Sequence, residues 1–174
     1  MADKMTLIFV EKTGHALGVL THAGNPEAKF EIRDLVGEGL PIRDPETGEL
    51  WLTVETKWLK SDVFDLVGGA LLEYDSYVVE TNQPVFHSKL APTEVKLETT
   101  GVTVTSDQVI KKNEFVWVQV ENSSGERIAQ AQPGDDLNKV VKIGMALQPG
   151  DYRVLALVPG FGSIVFESTL SSDR

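Results

Sequence analysis

The second half of the chain is a train of short segments in which apolar and polar residues alternate. "EVKLET" (94–99), "VTVTS" (102–106), "EFVWVQVE" (114–121), "RIAQAQ" (127–132), "KVVKIGMAL" (139–147), "DYRVLALV" (151–158) and "SIVFESTL" (163–170) are rich in β-branched residues, and clusters of Gly, Asn, Ser and Pro separate them. A period of two sends successive side chains to opposite faces of a strand, and turn residues at this spacing are those of an all-β sandwich or barrel. A β-sandwich domain is therefore expected over 93–170.

The first half, 1–85, is expected to be β-rich with one or two short helices. "TLIFVE" and "ALGVLT" flank "KTGH", whose Gly14 can take positive φ, so they form a hairpin. In "GNPEAKFEIRDLVGEG" Asn25 can cap, Pro26 suits a first helical position and Gly37 can end the element, with Ala28, Ile32, Leu35 and Val36 at helical spacing. The alternation of Phe30 and Ile32 with charge offers a rival strand. "LPIRDPETGEL" (40–50) has the prolines of an exposed loop or wide hairpin connection. "ELWLTVETKWL" alternates as a strand, with Leu50, Leu52 and Val54 on one face and Trp51 and Thr53 on the other. Ser61 and Gly68 bracket a short helix, and 70–80 returns to strand. The organisational seam falls in 81–94, with a linker at 86–92.

The charge balance narrows the function classes. With 16 basic and 26 acidic residues the chain carries −10, which repels phosphate backbones and anionic lipid, so no nucleic-acid partner is expected. The six-residue apolar run Met5–Val10 is too short for a signal segment or a bilayer span, which gives a cytoplasmic expectation with no membrane insertion. The absence of cysteine removes disulfides, thiolate metal sites and cysteine nucleophiles.

Catalytic patterns are equally sparse. His15, His22 and His87 have no ligand spacing and read as isolated surface or turn residues, so no metal and no cofactor is expected. Asp44, Glu46 and Glu49 lie in a Pro/Gly-interrupted loop that would leave them solvated. "NSSGE" (122–126) has no nucleophile frame and fits a hairpin turn. No catalytic residue is assigned, and the chain is expected not to be an enzyme.

The tryptophans remain. Trp51 and Trp117 fall opposite aliphatic rows, so either they point outwards to an interface or a sugar platform, or both strand faces are covered and they are core. An interface over Trp51 and Trp58, with Lys57 and Arg43 at its rim, is the site expectation.

The stretch "VWVQVENSSGERIAQAQ" with "VVKIGMALQPGDYRVLALVPGF" resembles the carboxypeptidase-regulatory and transthyretin-like β-sandwich modules over roughly 115–167. The matching residues are Leu147, Pro149, Gly150, Tyr152, Val154, Gly160 and Phe161. The resemblance implies an immunoglobulin/transthyretin-like sandwich, usually non-catalytic, in which Pro149, Gly150, Tyr152, Gly160 and Phe161 are turn and scaffold residues. "TLIFVEKTGHALGVLTHAGNP" with "LVGEGLPIRD" is similar to β-rich accessory proteins of phage-tail-like contractile injection particles, which implies an assembly role. The expected function is a non-enzymatic structural subunit that docks onto copies of itself or other protein subunits. The alternative is a carbohydrate- or small-ligand-binding sandwich using the tryptophans with Asn82, Gln83 and His87.

Overall fold

The computed structural model describes residues 4–21, 30–43, 48–71, 73–87 and 94–171. The chain divides into two units, Met1–Ser88 and Lys89–Arg174. It is mainly β, built from several antiparallel sheets with few helical residues. Asn25, Pro26, Ala28, His22, Asp44, Glu46 and most of the expected linker lie outside the described residues.

The first unit contains β1 (Lys4–Val10), β2 (Ala16–Thr21), α1 (Ile32–Val36), β3 (Gly39–Arg43), β4 (Leu50–Glu55), a 3-10 turn at Thr56–Trp58, β5 (Leu59–Asp65), a second 3-10 turn at Tyr74–Ser76, β6 (Tyr77–Glu80) and β7 (Gln83–Phe86). β1 sits between β2 and β5, antiparallel to both. Its continuous apolar run suits a strand buried on both faces. Met5, Leu7 and Phe9 join a cluster with Ala16, Phe64, Ala70 and Tyr77, while Thr6, Ile8 and Val10 are buried on the other side. The turn into β2 depends on Gly14, which lies at φ 74° and donates to the Val10 carbonyl at 2.8 Å. A Cβ at that position would stand 2.4 Å from the Val79 carbonyl oxygen, so a side chain there would push β6 away.

Several local expectations are corrected here. Residues 61–65 of the expected helix over 61–69 belong to β5, because each residue of that strand pairs with one of β1 and this distant ladder overrides the local capping signals. Among the described residues between Ala70 and Glu80, Tyr77–Glu80 are strand, preceded by the 3-10 turn. Of the two readings of 40–50, the hairpin connection fits and the plain loop does not, since Leu40–Arg43 are strand and β3 pairs with β4; Pro41 is tolerated because β3 is an edge that needs no outward N–H. Phe86, placed at the start of the linker, belongs to β7 and pairs with Tyr77. α1 is shorter than the helical spacing suggested, and Gly37 ends it at φ 63°.

The second unit contains β8 (Glu94–Glu98), β9 (Gly101–Thr105), β10 (Phe115–Asn122), β11 (Arg127–Pro133), β12 (Val140–Gly144), β13 (Gly150–Leu157) and β14 (Ser163–Leu170). They form a four-stranded sheet, β11-β10-β13-β14, and a three-stranded sheet, β12-β9-β8. One hydrophobic cluster draws on both, with Val102, Val104 and Ile143 from the smaller sheet and Val116, Val118, Val154 and Ala156 from the larger. This shared core is sandwich-like and follows from the alternation, which gives each strand one inward aliphatic row.

The scaffold residues hold the ends of that core. Tyr152 is buried, and its hydroxyl donates to the Gln148 carbonyl at 2.8 Å and accepts from the Gln148 N–H at 3.1 Å. A tyrosine hydroxyl tied to backbone a few residues upstream fixes the entry of a strand into a β-sheet. It secures the chain where Pro149 and Gly150 lead into β13. Gly160, at φ 84°, carries the turn from β13 to β14, and the adjacent Phe161 is buried in the shared core.

Candidate functional site

β4 begins with an irregularity that decides which of its side chains meet solvent. Ile42 pairs with Leu52 and Arg43 with Leu50, so Trp51 is the extra residue of a β-bulge. Leu52 and Val54 are buried as expected, but Leu50 is 46% exposed because the bulge breaks the alternation below it. The opposite row, Trp51, Thr53 and Glu55, is half-buried. Across the hairpin Thr53 and Glu55 of this row pair with Pro41 and Gly39.

The row continues into the 3-10 turn. The Thr56 N–H donates to the Glu38 carbonyl at 3.1 Å and its Oγ1 to the Gly37 carbonyl at 2.7 Å, tying the turn to the end of α1. The Trp58 carbonyl accepts from the Glu11 N–H at 3.0 Å, which anchors the other end to the turn after β1. Between these ties the Lys57 ammonium bonds to Glu55 and lies 5.8 Å from the centroid of the Trp58 ring. The cation is held by the carboxylate on one side and the indole face on the other. Lys57 keeps 66% of its side chain exposed, so this is a surface arrangement.

Arg43 lies beyond the bulge, exposed, with its Nη1 donating to the Gly48 carbonyl at 2.9 Å. Two open grooves flank α1. One of about 350 Å³ is lined by residues that include Phe30, Ile32, Lys60 and Ser61, and one of about 470 Å³ borders Arg33, Asp34, Thr56 and Lys57. Each is lined by two carboxylates, Glu31 with Asp62 in the first and Glu31 with Asp34 in the second, and no group of three or more metal-ligating side chains occurs among the described residues.

The other candidates fall elsewhere. Trp117 is fully buried, so of the two alternatives for it the outward one is corrected: both faces of β10 are covered, with Gln119, Leu155 and Leu157 also buried on the tryptophan side. The charged end of that same face is closed by Glu121–Arg127 at 3.1 Å and Arg153–Glu167 at 3.2 Å. His15 is a buried residue, correcting the surface reading, because its backbone bridges Val78 and draws the ring inside. His87 Nε2 lies 2.7 Å from Glu80 Oε1, and Asn82 and Gln83 are exposed at the β6–β7 turn. Glu49 is exposed. "NSSGE" is a hairpin turn in which Asn122 Oδ1 accepts from the N–H of Ser124 and of Glu126.

Sequence reasoning missed the bulge at Trp51 and the Glu55–Lys57–Trp58 arrangement. The acid-x-Lys-Trp order was readable, but only the 3-10 turn brings Lys57 onto both neighbours. No helix among the described residues is long and apolar enough to cross a membrane. Comparison with protein-family models, with curated proteins and with solved structures finds no match to this chain.

Proposed function

We propose that the chain is a non-enzymatic assembly subunit that docks onto other protein subunits, its own copies included, through the row Trp51–Thr53–Glu55–Lys57–Trp58. The observation that carries this reading is the partly exposed Trp58 on a braced 3-10 turn, with Lys57 fixed between Glu55 and its ring, following the partly exposed Trp51 on β4. Tryptophan anchors on a rigid support lose little entropy when covered, and the Glu55–Lys57 ion pair beside Trp58 supplies a polar rim. A particle of the phage-tail-like kind is the context in which such a subunit would serve. The Lys57 stacking argues against a sugar platform, since a sugar ring stacking on that indole face would first have to displace the cation.

The test is native mass by light scattering over a concentration series, for the wild type and for Trp51→Ala and Trp58→Ala. Loss of an anchor of this type weakens association by about 2 kcal/mol or more, over tenfold in Kd. Folded variants that assemble like the wild type would remove the row from the interface.

A further inference from the structure

We propose that the groove between β5 and Phe30–Ile32 is a strand-addition site that takes an extended cationic segment of a partner protein. It shares no residue with the tryptophan row and adds a second docking surface to the reading above.

The hydrogen-bond phase of β5 determines which main-chain groups face the groove. The Glu11 N–H donates to the Trp58 carbonyl at 3.0 Å, and pairing with β1 continues in the same register to Asp65. Along an antiparallel strand, residues alternate between bonding the neighbouring strand and turning both main-chain groups away from it. Lys60, Asp62 and Phe64 therefore bond to β1, and the main-chain groups of Leu59, Ser61 and Val63 turn outwards. β5 is an edge of its sheet, so nothing in that sheet receives them. The Leu59 N–H is used by the 3-10 turn, and the Val63 N–H donates to the Asp62 carboxylate at 2.9 Å. The Ser61 N–H and the carbonyls of Leu59, Ser61 and Val63 have no partner among the described residues. The opposite wall is Phe30, 46% exposed, with Ile32, and the groove between holds about 350 Å³. The Ser61 hydroxyl ties the two walls by donating to the Phe30 carbonyl at 3.2 Å. Open main-chain donors and acceptors beside an apolar wall are what an added strand bonds to.

Asp62 decides what can enter. Its carboxylate holds the acceptor position that the carbonyl of an added strand would take at Val63, and a charge so placed closes an edge to ordinary strands. A lysine or arginine on the incoming segment draws that carboxylate away and opens the donor. Glu31 and Asp62 line the groove against one ammonium, Lys60. The unit Met1–Ser88 has fifteen acidic and seven basic residues, which is eight of the chain's ten surplus negative charges. Its field attracts a cationic segment and repels the same edge of another copy.

The probe is a short peptide alternating lysine with valine, added to the isotope-labelled chain. Hydrogen exchange at the Ser61 amide should slow in the complex, because that N–H gains an acceptor. Two control peptides should not bind: a copy methylated on its backbone nitrogens, which keeps the charge and loses the donors, and one with glutamate in place of lysine. Asp62→Asn keeps an oxygen on the Val63 N–H and loses the charge, so it should weaken the lysine peptide about fivefold, as for an exposed ion pair. Trp51→Ala and Trp58→Ala should bind the peptide as the wild type does, so this site and the tryptophan row stand or fall separately. Unchanged exchange at Ser61, equal binding by either control, undiminished binding by Asp62→Asn, or no binding of the lysine peptide overturns the site.

Discussion

The hydroxyl of Tyr152 closes a small ring with the backbone of Gln148, bonded to both its carbonyl and its N–H. Gln148 is itself exposed, so water can replace the hydroxyl once it is removed. Tyr152→Phe, which keeps the ring in the core, should therefore lower stability by about 1 kcal/mol, the net worth of an ordinary hydrogen bond. In a unit of this size that is a fall in Tm of about 4–8 °C, readable by calorimetry.

Phe161 tests the core side of the same end of the unit. Its ring is 7% exposed and packs in the cluster shared by both sheets. Phe161→Ala should cost about 3–5 kcal/mol in chemical denaturation. An unchanged midpoint would mean that the ring is not part of the core.

Gly101 lies at φ 144°, and a Cβ there would stand 2.0 Å from the Ile143 carbonyl oxygen. Gly101→Ala must shift β12 or strain the backbone, so a loss of about 1–3 kcal/mol is expected. Gly144, the residue paired with Gly101, has open space at its Cβ, and Gly144→Ala should be tolerated. Equal losses in the two variants, measured by urea titration, would contradict this geometry.

The β6–β7 turn places Thr81 at φ 48° and Asn82 at φ 63°, the sign pattern of a type I′ turn. A β-branched residue pays a steric penalty in that region. Replacing the pair by Asn-Gly should raise stability by about 1 kcal/mol. Hydrogen exchange of Val78 and Val79 should slow in the variant if the hairpin is held more firmly.

Asp135 gives a pH signature. It accepts from the Leu137 N–H at 3.1 Å and from Asn138 Nδ2 at 2.5 Å, and these bonds hold its carboxyl below the ordinary aspartate range. A depressed carboxylate contributes stability that is present at neutral pH and is lost as pH falls through its folded value. Side-chain NMR titration should find Asp135 below a free aspartate, and Asp135→Asn should flatten the acid limb of stability in this turn.

The second unit was legible in the sequence because each of its strands alternates cleanly and turn residues separate them. What alternation could not convey was that β10 is covered on both faces, which takes Trp117 out of any surface site. The first unit was less legible for two physical reasons. Residues 59–65 become strand through pairing with residues 4–10, a relation no local window contains. The bulge at Trp51 changes the facing of Leu50 without changing the composition of the strand. The candidate row was readable as a pair of tryptophans beside lysines. Its bracing by the 3-10 turn and α1 was not.

The pairing of Lys4–Val10 with Leu59–Asp65 also sets a schedule for synthesis. Strand β1 and its hairpin partner leave the ribosome before β5, and one side of β1 has no partner until some fifty further residues have been made, roughly 3–10 seconds at ordinary elongation rates. During that interval the most apolar strand of the first unit presents an open edge on a nascent chain. The acidic excess of the finished chain gives no protection in that interval, because residues 1–30 carry as many basic as acidic side chains, so β2 alone shields β1 until β5 arrives.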